Sequence, residues 1–226
     1  PVVRAVGDGL AGDRLTRIDA ILNGTTNTVL STMESTGCAL HAALADARAK
    51  GLAEADPSAD LDGDDARAKL AILCALAFGV LVRPEQIAAR STAGVAAADV
   101  VAARESGRAI RQIAHADYDP ARSRLTAWVA PIAVDADSIF ARTFGAGNAA
   151  VIAGAHSGET TITGTGAGGD ATAVAVIADL VAIARDRAAI VPPPRLSTPR
   201  TIVGFSGIPA GVHACATNVE AVAEVL

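Results

Sequence analysis

The feature that most constrains the fold of this 226-residue chain is an alanine- and leucine-rich stretch, DARAKLAILCALAFG, at residues 65–79. Its apolar residues recur at the spacing of one helix face, and its final glycine is typical of a helix end. The residues that share this face are Ala66, Leu70, Leu73 and Ala77. Because Ala and Val, which have small side chains, carry most of the apolar content of the chain, the stretch is predicted to be a closely packed helix.

Strands and helices are predicted along most of the chain. Strands are expected at residues 14–22, at 123–134 and twice within 148–163, and the helices are expected at 28–36, 39–51, 96–114 and 170–185. Asn-Gly in residues 23–27 predicts a turn or loop there. The pattern favours an α+β fold, a mixed β-sheet with helices packed on one face.

The predicted organisation has three parts. Residues 1–190 form the main domain, residues 191–199 form a linker because of their proline run, and residues 200–226 form a short tail with a strand, a turn and a helix. The tail is short for a regulatory domain, and is interpreted as the start of one or a degenerate one.

Charge and composition exclude several classes of partner. The net charge is −5 and the pI is about 5.3, with no cluster of Lys and Arg, so we expect no nucleic acid and no anionic membrane as a partner. No uninterrupted apolar window of membrane-spanning length occurs. The three cysteines, Cys38, Cys74 and Cys215, are far apart and odd in number, which indicates a reducing, cytoplasmic location and no disulfide or zinc framework.

The stretch before the helix, ADPSADLDGDDARAK at residues 55–69, carries a high density of aspartates. A calcium loop is excluded by spacing: counted from Asp60, Gly63 is fourth instead of sixth, and Ala71 takes the place of the twelfth-position glutamate. The four histidines are not at metal-ligand spacings either, so we expect no metal site.

Asp65 and Lys69 are spaced i, i+4 on the predicted helix, which leaves two interpretations open. They form a surface ion pair of little energetic value, or Lys69 donates a proton or hydrogen bond to a carbonyl oxygen that gains charge. In the second interpretation, Glu54, Asp60 and Asp65 hold the ammonium group of a substrate. The pattern alone favours the surface pair.

Two further motifs stand out, one rich in polar residues and one rich in glycine. NGTTN at residues 23–27 is either a hydrogen-bonded turn that caps a helix or a loop that binds a polar small molecule. GTGAGG at residues 164–169 matches G-x-G-x-x-G between a predicted strand and a helix, but no second strand with an acidic end follows, so it is not a complete dinucleotide-binding unit. It is a tight turn, or a site of backbone N–H groups for a phosphate or carboxamide.

Taken together, ILNGTTNTVLSTM, ALADARAKGLAEADPSADLDGDDARAKLAIL and TGTGAGGDATAVAVIADLV resemble the catalytic portion of homoserine dehydrogenase. The resemblance runs from residue 1 to about residue 185. It implies the fold of that catalytic domain, a homodimer, and NAD(P)-dependent interconversion of L-homoserine and L-aspartate 4-semialdehyde. This reaction belongs to the biosynthesis of threonine, methionine and isoleucine.

The resemblance also implies roles for individual residues. Lys69 and Asp65 would be the catalytic pair, with Lys69 donating to the aldehyde oxygen. The residues implied to bind the substrate are Glu54, Asp60, Thr25 and Asn23, and those implied to contact the cofactor are Gly166, Ala167 and Gly168.

Three departures from the family pattern stand out. The nucleotide-binding domain that would precede this region is absent, so NAD(P) would be bound mainly by a domain outside the chain, and the chain alone is expected to be inactive. Leu52 stands where the family usually has a tyrosine, and Asp64 stands at a usually apolar position, which is expected to loosen the helix start. The alternative is a non-catalytic amino-acid-binding or oligomerisation module derived from the same scaffold.

Overall fold

The strands of this protein form one mixed sheet, as a computed structural model that describes residues 2–166, 168–185, 196–205 and 212–214 shows. The strands are β1 (Leu15–Ile21), β2 (Ala88–Ala89), β3 (Arg108–Asp119), β4 (Arg124–Asp135), β5 (Gly147–Gly154), β6 (Gly158–Thr165), β7 (Thr201–Val203) and β8 (Val212–Ala214). The helices are α1 (Val2–Arg4, continued by a π-helical turn over Ala5–Gly9), α2 (Gly24–Thr36), α3 (Leu40–Ala49), α4 (Ser58–Leu61), α5 (Asp64–Phe78), α6 (Ala97–Glu105) and α7 (Gly169–Ala184).

The sheet is built around the long hairpin of β3 and β4. Its order is β2-β4-β3-β1-β5-β6, and both β7 and β8 also pair with β4. The hairpin register runs from Arg108 opposite Asp135 to Asp119 opposite Arg124. Strands β2 and β7 run parallel to β4, whereas the other pairs are antiparallel, so the sheet is mixed.

The helices pack on one face of the sheet, which confirms the predicted α+β architecture. Ile18 and Ala20 of β1 point to this face, where they share a core cluster with Leu70 and Leu73 of α5. Ile110 of β3 extends the same face beneath α2, α3 and α6. The opposite face has its own core cluster around Trp128 and includes no helical residue among its described members.

Two predictions about local structure were wrong. Residues 23–27 are not a loop, because α2 begins at Gly24 and Asn23 is its N-cap residue, with its side-chain oxygen accepting from the Thr26 N–H. Residues 96–114 are not one helix, because α6 ends at Glu105 and β3 begins at Arg108. Gly107 between them has φ +70°, a conformation that ends a helix and that glycine adopts freely.

The C-terminal organisation is only partly covered. Most of the predicted linker, residues 191–195, and most of the tail lie outside the described residues, and the described strands β7 and β8 both join the sheet at β4. In the described part of the chain, no helix combines the length and the apolar character that crossing a membrane requires.

Both ends of α5 are glycines with positive φ, and this makes a matched pair of substitutions possible. Gly63 precedes the helix at φ +84°, and a Cβ there would lie 3.1 Å from Val129 Cγ1. Gly79 follows the helix at φ +65°, and a Cβ there would meet nothing within 4 Å.

We expect Gly79→Ala to lower the free energy of unfolding by about 1 kcal/mol, the cost of a left-handed alanine. Gly63→Ala should lower it by about 2–3 kcal/mol, because contact with the buried Val129 adds to the same backbone cost. Urea unfolding of the two variants measures this difference. Equal losses would show that the contact between Gly63 and β4 is not tight.

Candidate active site

Asn23, at the end of β1, connects two aspartates that are distant in sequence. Its Nδ2 donates to Asp60 Oδ1 at 2.6 Å and to Asp65 Oδ2 at 2.8 Å. Its Oδ1 caps α2, so the carboxamide is fixed from both ends, and the residue is only 5% exposed. One asparagine therefore holds the helix start and both carboxylates in place.

Lys69 completes this chain of hydrogen bonds. Its Nζ donates to Asp65 Oδ2 at 2.7 Å and to the Leu22 carbonyl oxygen at 3.1 Å. An ammonium group has three N–H donors, so one remains for a further acceptor. The side chain is 48% exposed, so this donor is accessible to a small molecule. Asp65 and Lys69 therefore form an accessible ion pair, as the first interpretation of their spacing expects. The Leu22 carbonyl oxygen, just after β1, also fixes Lys69, and this leaves the second interpretation, a substrate-binding site, open as well.

Two side chains hold the main chain at Asp60: Thr26, which belongs to the NGTTN motif, and Gln112, which the sequence motifs did not include. Thr26 Oγ1 donates to the Asp60 carbonyl oxygen at 3.0 Å, and Gln112 Nε2 donates to the same oxygen at 3.2 Å. Gln112 also donates to Thr92 Oγ1 and is buried in the middle of β3. Because β3 carries several other polar and charged residues, this glutamine gave no distinct signal in the sequence.

The remaining residues predicted to bind substrate lie near this group without joining its hydrogen bonds. Thr25 Oγ1 donates to the carbonyl oxygen of Leu52, so these two positions are in contact. Glu54 is exposed, and its main-chain oxygen accepts from Arg48 Nε at 3.2 Å. Among the described residues, its carboxylate has no hydrogen bond and is free to contact a ligand.

The first residues of the glycine-rich segment at 164–169, here called the glycine loop, line a cavity of about 290 Å³. Lys69 lines the same cavity. Gly166 borders this cavity, and a Cβ on it would lie 2.7 Å from Asn148 Cγ. Gly168, with φ +112°, immediately precedes α7. Ala167, which was also predicted to contact the cofactor, lies outside the described residues.

Other acidic residues of the 55–69 stretch have local partners. Asp62 accepts from Ser91 Oγ at 2.6 Å, and Asp64 pairs with Arg67. Asp64 is the first residue of α5, where a carboxylate favours the helix start because it interacts with the positive end of the helix dipole.

The thiol of Cys74 on the same helix is 0% exposed, and burial raises its pKa to about 12, which leaves it protonated and unreactive at neutral pH.

The position of Asn23 gives a test of the hydrogen-bonded group. Asn23→Asp keeps the capping oxygen but replaces two donors with a third carboxylate beside Asp60 and Asp65. We expect it to lower the free energy of unfolding at pH 7 by about 3 kcal/mol, because a buried polar group and like charges are left uncompensated.

Asn23→Ser separates the two causes. Serine also caps a helix and adds no charge, so we expect a loss of about 1 kcal/mol from the missing donors alone. Urea unfolding at pH 7 measures both variants. An Asp variant as stable as the parent would contradict the arrangement described for Asn23.

Comparison with known proteins places this chain in a family. A family model described as homoserine dehydrogenase matches residues 1–181. Homoserine dehydrogenase of Mycobacterium leprae is 42% identical over 190 residues, which cover 83% of this chain and 43% of that protein. Homoserine dehydrogenase of Corynebacterium glutamicum is 36% identical over the same length and with the same coverage.

A solved structure agrees with the sequence relatives. The crystal structure of a homoserine dehydrogenase from Thiobacillus denitrificans superposes with a TM-score of 0.83 at 33% identity, and covers 90% of this chain and 49% of that one. The chain thus spans less than half the length of the curated relatives it matches.

Proposed function

This chain belongs to the homoserine dehydrogenase family, and we propose that it is the substrate-binding part of an enzyme that interconverts L-homoserine and L-aspartate 4-semialdehyde with NAD(P). The observation that carries the proposal is the hydrogen-bonded group of Asn23, Asp60, Asp65 and Lys69. Its member Lys69 lines the cavity that Gly166 also borders. We infer a biosynthetic role in the cytoplasm and a homodimer from the same family resemblance.

The substrate carries a carboxylate, an ammonium and an aldehyde. The candidate site offers a partner for the ammonium and a partner for the aldehyde. The free donor of Lys69 would meet the aldehyde oxygen, which gains negative charge as the carbonyl is reduced. Asp65 accepts from Lys69, so it holds the ammonium group in this orientation. Asp60 and the free carboxylate of Glu54 supply negative charge for the substrate ammonium.

The residues around the cavity fit a nicotinamide ring. The walls are mainly aliphatic, and Gly166 borders the cavity without a side chain of its own. The nicotinamide supplies the hydride chemistry when it is bound. This chain would exclude water from the ring with its aliphatic walls and present Lys69 at one end.

Helix α7 supports the presence of a further domain in the working enzyme. Its aliphatic side chains are exposed around most of its circumference: Val174, Val176, Ile177, Leu180, Val181 and Ile183 are each at least 41% exposed. An apolar surface of this kind is normally covered. Since the relatives are more than twice as long as the matched segment, we propose that a nucleotide-binding domain covers α7.

The proposal is tested by joining residues 1–226 to the nucleotide-binding domain of a homoserine dehydrogenase relative. We expect the joined protein to reduce NAD⁺ or NADP⁺ when homoserine is added, and the chain alone to show no turnover. If the joined protein binds homoserine in calorimetry but reduces neither dinucleotide, the chain is an amino-acid-binding module and the enzymatic proposal fails.

A further inference from the structure

A single carboxamide lies in the wall of the cavity beside Lys69. The cavity is lined largely by aliphatic side chains from α1, β1, α5 and β6, and its polar lining includes Lys69 and the side chain of Asn148. Asn148 lies near the start of β5, opposite Gly164 of β6. Because glycine has no side chain, β6 offers no side-chain partner to Asn148 at this position.

The Oδ1 atom of Asn148 is shielded from solvent and has no hydrogen-bond partner in the part of the chain that the structure describes. Buried acceptors in native proteins are nearly always paired, so an unpaired one needs an explanation. Asn148 lines a mainly apolar cavity, and an unpaired acceptor at such a wall suits a ligand with an N–H donor.

Gly166 holds this carboxamide in position. A Cβ on residue 166 would lie 2.7 Å from both Cγ and Nδ2 of Asn148, so any other residue would push the side chain away. The glycine loop and the carboxamide are therefore packed directly on each other. The absence of a side chain at position 166 leaves room for the side chain of Asn148.

We propose that Asn148 is a cofactor-binding residue whose Oδ1 accepts a hydrogen bond from the carboxamide N–H of the nicotinamide ring. This inference rests on the proposed function and names a residue that the sequence motifs did not include. The apolar walls suit the flat ring, and its carboxamide is the group that can donate to Oδ1. The substrate's own N–H donors belong to its ammonium, which the proposed function assigns to Asp60 and Glu54.

An analogue of the cofactor tests the hydrogen bond directly. In 3-acetylpyridine adenine dinucleotide a methyl group replaces the NH₂ of the carboxamide, so the donor is lost while the ring shape is nearly kept. Calorimetric Kd values for NAD⁺ and the analogue, measured without homoserine on the joined protein, should differ by about tenfold in favour of NAD⁺. Asn148→Ala should bring this ratio close to 1.

Two further variants separate binding from a structural role. Asn148→Asp retains an acceptor oxygen and should retain the preference for NAD⁺, while Gly166→Ala should displace the carboxamide and lose it. If Asn148 had only a structural role, Asn148→Ala would weaken the binding of NAD⁺ and of the analogue equally, and the ratio of their Kd values would not change. Equal parental Kd values, or an Asn148→Ala variant that keeps the preference, would overturn the assignment. A parent that neither binds dinucleotide nor oxidises homoserine overturns the proposed function itself.

Discussion

Lys69→Ala is expected to lower kcat for homoserine oxidation by the joined protein about 10²- to 10³-fold, with a much smaller change in KM. The free donor of Lys69 is placed to act on the oxygen where charge develops, and the loss of one such donor typically costs this much. Asp65 and the Leu22 carbonyl oxygen accept from its other two donors, so the third donor is the one that remains for the substrate oxygen.

Lys50 provides the matched control. It forms the same i, i+4 ion pair with Asp46, with an Nζ to Oδ2 distance of 2.6 Å, on the exposed surface of α3. Lys50→Ala should leave both kcat and KM within about twofold of the parent, because an exposed pair of this kind contributes little. Near-normal kcat in Lys69→Ala would show that the catalytic assignment is wrong.

Arg111→Met is expected to give the largest loss of stability, about 3–5 kcal/mol in the free energy of unfolding. The guanidinium is fully buried, with Nη1 at 2.7 Å from Glu34 Oε2 and Nη2 donating to the Ala141 carbonyl oxygen at 2.8 Å. It thus connects α2, β3 and the segment between β4 and β5. Its removal leaves the Glu34 carboxylate and the Ala141 oxygen without this partner.

Arg108 on the same strand is the control for Arg111. Its Nε is 3.6 Å from Asp135 Oδ1, and about a third or more of each side chain is exposed. Arg108→Met should change the free energy of unfolding by at most about 0.5 kcal/mol. In the Arg111→Met background, Glu34→Gln should recover about 1 kcal/mol, because the unpaired charge is removed. Urea unfolding measures all three, and equal losses for Arg108 and Arg111 would contradict the buried role.

Much of the fold could be predicted from residue patterns. The helix that follows the acidic stretch was expected near Asp65 and begins at Asp64, because its apolar spacing and flanking glycines agree. The pattern failed at residues 96–114, where alanine favours helix on either side of Gly107. There the chain continues as β3 because its side chains are buried against β1 and β4.

Part of the candidate site was also visible in the sequence. The i, i+4 spacing placed Asp65 and Lys69 together, and the polar NGTTN motif drew attention to Asn23. The bond between Asn23 and Asp60, which joins residues 37 positions apart, had no local signal. Asn148 and Gln112 were missed because a polar residue within a strand shows its role only through its neighbours on adjacent strands.

The sequence by itself determined the position of α5, the strands β1, β4, β5 and β6, and the chemistry of the motifs, because backbone preferences and apolar periodicity act between residues close along the chain. Only the tertiary structure decided that Asn23, just after β1, would hold carboxylates from α4 and α5 while capping α2, and that Asn148 would lie unpaired against Gly166. These contacts depend on how the strands and helices are brought together in space. That packing is set by burial summed over the whole core, and no short stretch of residues contains it.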